Sequence, residues 1–166
     1  MKKLLLLPIL FFAMISCTQA QDTEFTKDAL NSKMTTLDGK QIAFKDILAQ
    51  YKGKTVVIDV WASWCPDCIK GMPKVHNLQK QFPKAVYLFL SYDRVDANWK
   101  KGIEKYEVRG ENYHVGTSMK AGDFARDIKL DWIPRYMVLD KNGKIALFKA
   151  IEADDAKLIE TLKNLK

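Results

Sequence analysis

Thr55-Val56-Val57-Ile58-Asp59-Val60-Trp61-Ala62-Ser63-Trp64-Cys65-Pro66-Asp67-Cys68 is the stretch on which the fold of this chain turns. Its first half, Thr55 to Val60, is apolar on both faces apart from Asp59, the pattern of a parallel strand covered by helices on each side. Its second half sets two thiols one helical turn apart at the point where a strand gives way to a helix. Cysteines so spaced bring their Cα atoms within the roughly 4.4–6.8 Å that a disulfide tolerates. The chemistry this implies is thiol–disulfide exchange.

The composition around that stretch suits one compact domain. At 166 residues, with 48% hydrophobic and 11% aromatic content, the chain can bury a core without structural staples. The formal charge is +7, and because Lys2 and Lys3 belong to a leader, its loss takes the 27 basic residues to 25 against 20 acidic ones. This surplus is scattered. No basic run is interleaved with aromatics as a nucleic-acid groove requires, so no nucleic-acid partner is expected.

Lys2-Lys3, an apolar stretch from Leu4 to Ile15 and the small and polar residues behind it have the layout of a secretory signal. About twelve apolar residues are too few for a bilayer core that needs roughly 20. Two processing routes stay open. Met14-Ile15-Ser16-Cys17 resembles a bacterial lipobox, which gives a lipoprotein-type signal over residues 1–17 and a lipid anchor at Cys17. Thr18-Gln19-Ala20 resembles a site for ordinary cleavage, which gives a signal over residues 1–20. The lipoprotein route is the favoured expectation. Either route accounts for the odd count of three cysteines, since Cys17 is removed or blocked and Cys65 and Cys68 remain. In a disulfide-permissive compartment a lone Cys-x-x-Cys is a structural bridge or a redox centre. A bridge closing so short a loop constrains the unfolded chain little, which favours the redox role.

Residues 18–32 are polar and unpatterned and are expected to form a linker, with the folded domain over residues 33–166. A front hairpin is expected from Met34–Leu37 and Gln41–Phe44 about a two-residue Asp38-Gly39 turn, followed by a short helix over Lys45–Tyr51. After the cysteines the sequence predicts a helix over Pro66–Gln81, kinked at Pro73, and a second buried strand over Ala85–Ser91. Asp96 is the expected cap of a helix ending near Tyr106; Glu111–Val115 reads as a short edge-like strand and Met119–Ile128 as helical. Tyr136–Asp140 and Ile145–Ala150 pair about a Lys141-Asn142-Gly143 turn, and an amphipathic helix over Ala153–Leu165 closes the domain. Strands that alternate with helices and end in a hairpin predict an α/β fold, a central mixed sheet flanked by helices with the front hairpin as an N-terminal extension.

Val57 through Cys68, with Met72-Pro73 behind it and Ile133-Pro134 before the late hairpin, resembles the thioredoxin superfamily, and more closely the exported TlpA/ResA-like thiol–disulfide oxidoreductases. The likeness extends over about residues 34–165, through Gly53-Lys54 before the central strand and Asp140-Lys141-Asn142-Gly143-Lys144 after the proline. It implies a thioredoxin-like fold and a redox-active Cys-Pro-Asp-Cys centre. The chain departs from many members at Gly71, where an acidic residue often follows the second cysteine.

Cys65 is expected to be the attacking nucleophile, with an exposed sulfur facing the unpaired N–H groups and positive dipole end of the helix that follows. Cys68 is the expected resolving thiol. Pro66 starts the helix without losing a useful donor, and Asp67 sets a negative charge near the thiolate, which favours a reducing couple. Asp59 would be desolvated, its pKa raised, and able to take the proton of Cys68; the alternative is a strand-end carboxylate that reaches solvent. The resemblance matches Pro134 to the superfamily's cis-proline, which leaves the backbone at Ile133 free to pair with an extended substrate segment. Trp64, with Trp132, would form an apolar lip round the sulfur, so substrate contacts are expected from Trp64, Pro66, Ile133 and Pro134. Trp61 and Trp99 are expected in the core. The two histidines, His76 and His114, lack paired-ligand spacing, and neither a metal nor a cofactor is expected.

The resemblance implies an exported disulfide reductase, periplasmic or held at the membrane facing the periplasm, that takes electrons from a membrane-bound thiol donor and passes them to protein disulfides. Two other readings differ in class. A peroxiredoxin-like thiol peroxidase usually wants Thr or Ser three residues before the nucleophile and Pro seven before, where this chain has Ala62 and Ile58. A non-catalytic binding module would keep the disulfide closed as a structural bridge.

Overall fold

The computed structural model describes residues 23–166, so the leader, Cys17 and both processing sites lie outside the described residues. The described part of the expected linker is folded. Thr26 accepts a hydrogen bond from the Ala29 amide at 3.2 Å and caps a short helix, α1 (Lys27–Asn31). Phe25 is buried edge-on against Phe44 at 5.0 Å between ring centroids, and the Thr23 carbonyl accepts from the Ile145 amide at 2.8 Å. Burying one such ring contributes about 2 kcal/mol, which holds a segment that polar composition alone marks as a tether.

The front hairpin follows as β1 (Lys33–Thr35) and β2 (Gln41–Ala43), with Met34 opposite Ile42. Its turn is longer than expected: the Thr36 amide donates to the Lys40 carbonyl at 2.9 Å, and Gly39 takes φ 84°, where a side chain would be strained. Helix α2 (Phe44–Ala49) leads to β3 (Val56–Trp61), every residue of which is buried. Helix α3 (Pro66–Gln81) has the expected bounds and buries Cys68, Met72, Val75 and Leu78, the spacing of one helical face laid on a sheet. There follow β4 (Val86–Ser91), α4 (Asp96–Lys105), β5 (Glu111–His114), α5 (Asp123–Asp127), β6 (Arg135–Leu139), β7 (Ile145–Ala150) and α6 (Ala156–Asn164).

One seven-stranded sheet runs in the order β2-β1-β5-β4-β3-β6-β7. Strands β3, β4 and β5 are parallel, whereas β6 runs antiparallel to β3 and β7 to β6. This is the mixed sheet with a hairpin extension that the sequence predicts, and its core includes Trp61 and Trp99, both fully buried. Some local expectations are corrected. Strand β5 is not an edge, because β1 pairs with it through Thr35 and His114. Val95, not Asp96, holds the cap position of α4, and Asp96 is its first helical residue. The helix expected from Met119 starts at Asp123, since Gly122 at φ 91° interrupts the helical path. Helix α6 starts at Ala156, where the Asp155 carboxylate accepts from the Lys157 and Leu158 amides.

Strand β3 lies between β4 and β6, and its carboxyl end opens onto the start of α3. In open α/β sheets that end of the strands is where ligands and chemistry gather. Among the described residues no helix is long and apolar enough to cross a membrane.

Candidate active site

Cys65 is the cap residue of α3, and its Sγ accepts a hydrogen bond from the Cys68 amide at 3.1 Å. The two cysteines are joined in a disulfide with their Cα atoms 5.3 Å apart. Once that bond is reduced, the same amide and the positive end of α3 act on the Cys65 sulfur and stabilise its thiolate. Pro66 occupies the first turn, where its missing donor costs nothing, and both Pro66 and Asp67 face solvent. The openly exposed sulfur expected from the sequence is not found: Cys65 is 4% exposed and Cys68 1%. The Ile133 carbonyl oxygen lies 3.6 Å from the Cys65 sulfur, and the exposed Trp64 is held by a hydrogen bond from its Nε1 to the Tyr92 carbonyl at 3.3 Å.

Ile133 and Pro134 are joined by a cis peptide and reach the dithiol from the start of β6. The turn that carries them is fastened by Arg135, which is fully buried, donates from Nη1 to the Ile128 carbonyl at 2.8 Å and pairs through Nη2 with Asp131. Lys149 also meets Asp131, at 2.7 Å, and its hydrogen bond does most to hold that carboxyl below its ordinary range. Burial works against the Arg135 charge and lowers its pKa. The strut so formed supports a turn whose outer residue, Trp132, stands in solvent.

Asp59 does not reach solvent. It is 2% exposed, neither carboxyl oxygen has a hydrogen-bond partner, and desolvation pushes its pKa up to about 8. The Tyr136 hydroxyl acts on it from outside bonding geometry and only tempers that rise. Tyr136 lies directly across the β3–β6 pair from Asp59, and side chains of directly opposed residues share a face of the sheet. That face lies under α3, because a Cβ added at Gly71 would stand 3.6 Å from the Tyr136 hydroxyl.

A second buried carboxylate, Asp93, sits just past β4 and serves the loop that leads to Cys65. It accepts from the Ser63 amide at 2.9 Å, the Ser63 hydroxyl at 2.5 Å and the Ser91 hydroxyl at 2.8 Å. Helix α4 presses on the same loop at Gly102, where a Cβ would come within 2.6 Å of the Ser63 Cβ. His114 stacks on Trp99 at 5.4 Å, with Nε2 2.6 Å from the Asp93 carbonyl oxygen. His76 lies elsewhere, its Nε2 3.0 Å from the Glu107 carbonyl, and no cluster of His, Cys, Asp and Glu among the described residues could hold a metal.

Sequence reasoning missed Ser63, Asp93, Arg135 and Tyr136. Arg135 and Tyr136, which follow the proline directly, carried a faint signal, a polar pair opening a strand otherwise apolar. Ser63 and Asp93 carried none, since 30 residues separate them and only the β3–β4 pairing brings them together. Beside the dithiol lies a pocket of about 250 Å3 lined by Asp67, Lys70, Gly71, Trp132, Pro134 and Tyr136. A larger cavity, about 500 Å3, touches Thr55 and Pro83 at the opposite end of β3 and is remote from the sulfurs.

Residues 19–162 match the family described as Redoxin. The chain belongs to that family. This Redoxin is 29% identical over 150 residues to the thiol–disulfide oxidoreductase ResA of Bacillus thuringiensis subsp. konkukian, spanning 89% of this chain and 82% of that protein. It is 25% identical over 179 residues to the thiol:disulfide interchange protein DsbE of Haemophilus influenzae, spanning 98% and 94% of the two chains. The fold is shared with a thiol–disulfide oxidoreductase from Bacteroides fragilis, with a TM-score of 0.69 at 20% identity over 84% of this chain and 100% of that one.

Proposed function

We propose that this Redoxin is an exported disulfide reductase in which Cys65 attacks a protein disulfide and Cys68 resolves the mixed disulfide. One observation carries the reading: the Cys65 sulfur sits at the cap of α3, bonded to Cys68 and 3.6 Å from the carbonyl that precedes a cis-proline. A substrate strand pairing with the backbone at Ile133 would bring its own sulfurs to that point, bordered by Trp64, Pro66 and Pro134. The Cys65 thiolate attacks, a mixed disulfide forms and one substrate thiolate leaves. Cys68 gives its proton to Asp59 and attacks the Cys65 sulfur, releasing the second substrate thiolate and closing the Cys65–Cys68 bond. Two electrons pass to the substrate. A membrane-bound thiol donor restores the dithiol by the reverse exchange.

Asp67 supports the direction of flow, since a negative charge in the first turn disfavours a neighbouring thiolate and makes the couple more reducing. The names of the relatives accord with this chemistry, and the leader expected from the sequence supports a place outside the cytoplasm, with Cys17 as the anchor on the lipoprotein route. Insulin reduction tests the reading. Cys65→Ser is expected to abolish activity and Cys68→Ser to accumulate a mixed disulfide; wild-type turnover in both would remove the assignment. The low exposure of the pair suits one other reading, a closed structural bridge. A reduction potential below about −300 mV with unreactive thiols would establish that bridge, whereas a couple near about −270 mV fits exchange.

A further inference from the structure

Asp59 and the pocket beside Pro134 are joined through one side chain. Asp59 pairs across the sheet with Tyr136, and both of its carboxyl oxygens are buried without a hydrogen-bond partner. A buried carboxyl that gives or takes a proton must still exchange that proton with water. Tyr136 is 1% exposed, yet it lines the pocket together with Asp67, Gly71 and Pro134. Because residue 71 is glycine, no side chain of α3 stands at the position 3.6 Å from the Tyr136 hydroxyl where a Cβ would lie.

On the reductase reading, we infer that the Tyr136 hydroxyl relays protons between the Asp59 carboxyl and water in the pocket beside Gly71. When Cys68 has passed its proton to Asp59, the neutral carboxyl closes to hydrogen-bond contact with the Tyr136 oxygen and donates its proton there while the hydroxyl proton passes to pocket water. Asp59 is left ionised, Tyr136 is unchanged and one proton has left the interior. Reduction of the protein's own disulfide runs the same steps backwards: Cys68 leaves as a thiolate, takes the Asp59 proton, and Asp59 is refilled from water through Tyr136. Tyr136 thus acts through Asp59 and is a positioning residue for the proton. The charged groups that face its hydroxyl are Asp59 from β3, and Glu152 and Asp154 from the segment between β7 and α6, both paired with Lys74 of α3. Asp67 and Lys70 stand at the pocket.

Single-turnover reduction of the Cys65–Cys68 disulfide by dithiothreitol in the full chain, followed by tryptophan fluorescence from about pH 7 to about pH 10, tests the relay without a protein substrate, because above about pH 8 the Asp59 carboxyl starts ionised and must be loaded through Tyr136 before it can protonate Cys68. Inactivity toward protein disulfides would sink the reductase reading and leave this measurement standing. Above about pH 8, Tyr136→Phe is expected to slow the reduction about tenfold, Asp59→Asn at least as much, and the double variant no more than Asp59→Asn alone. The pH midpoint of the step should move up in Tyr136→Phe, since the hydroxyl that favours the Asp59 carboxylate is gone. A substitution that merely loosened the packing would hydrate Asp59 and move that midpoint down. A wild-type rate in Tyr136→Phe, a downward midpoint, or losses that add in the double variant each overturn the relay. Should Tyr136→Phe fail to fold, Gly71→Ala carries the test, since its methyl covers the hydroxyl while removing a helix glycine. Slower reduction with a raised melting temperature then supports the relay, and an unchanged rate overturns it.

Discussion

Asp59 in β3 and Asp93 just past β4 are buried alike, 2% and 3% exposed, yet Asp59 has no hydrogen-bond partner and Asp93 accepts from Ser63 twice and from Ser91. The satisfied carboxylate holds structure. Through Ser63 it fixes the loop two residues before Cys65, and Gly102 lets α4 close over the same place. The unsatisfied carboxyl holds nothing in place, and its energy depends on whether it carries a proton. A buried acid can therefore be a brace or a proton store, and its partners decide which.

The largest loss of stability that would sharpen this contrast is expected at the brace. Asp93→Ala removes the acceptor for three bonds and leaves the buried Ser91 donor and the part-buried Ser63 donors without partners, which should cost about 4 kcal/mol in urea unfolding. A loss under about 1 kcal/mol would break the comparison, because Asp93 would then be no more needed for stability than Asp59.

Removal of the Asp59 charge should do the opposite. The carboxyl titrates near 3.8 when unfolded and at about 8 when folded, so the unfolded state binds fewer protons between those values and wild-type stability falls as pH rises through that window. Asp59→Asn lacks this fall. Its stability relative to wild type should grow from almost nothing near pH 4 to about 5 kcal/mol at pH 8 and then level off. A difference that stays flat with pH would mean that Asp59 is hydrated in solution, and the distinction between the two carboxylates would go with it.

The two residues also differ in how far each could be read from the chain. Asp59 interrupts an apolar run six residues before a Cys-x-x-Cys, a local signal that strand burial turns into a chemical one. The places of Cys65, Pro66 and Cys68 at the head of α3 and the bounds of that helix were legible for the same reason, since each rests on spacing within one segment, and the mixed sheet was legible from the order of strands and helices along the chain. Asp93 sits in a polar loop after a strand, and nothing nearby marks it as buried; its role appears only when parallel pairing of Trp61 with Ser91 brings the two strand ends level. Arg135 is similar, as its partners Ile128 and Asp131 lie on a turn whose path depends on how β6 meets β3. The docked segment from Phe25 to Asn31 was missed because one buried aromatic outweighs a polar composition. The covered sulfur of Cys65 was missed because the resemblance brings Ile133 to the dithiol without fixing how closely its carbonyl, 68 residues away in the chain, approaches the sulfur.

Ser63→Ala is the smallest of these changes and the most discriminating. It deletes one of the two Ser63 bonds to Asp93 while keeping the backbone amide bond and the Cβ that α4 packs against at Gly102. Loss of that single charge-assisted bond is expected to cost about 1.5 kcal/mol, well under half of the Asp93→Ala effect, if the amide and Ser91 share the remaining load. Alkylation of reduced Cys65 with iodoacetamide should then stay within about twofold of wild type, because the bond that orients the loop backbone is intact. If Ser63→Ala instead costs as much as Asp93→Ala and changes Cys65 reactivity equally, the hydroxyl alone holds the loop, and Asp93 braces the site through one contact in place of three.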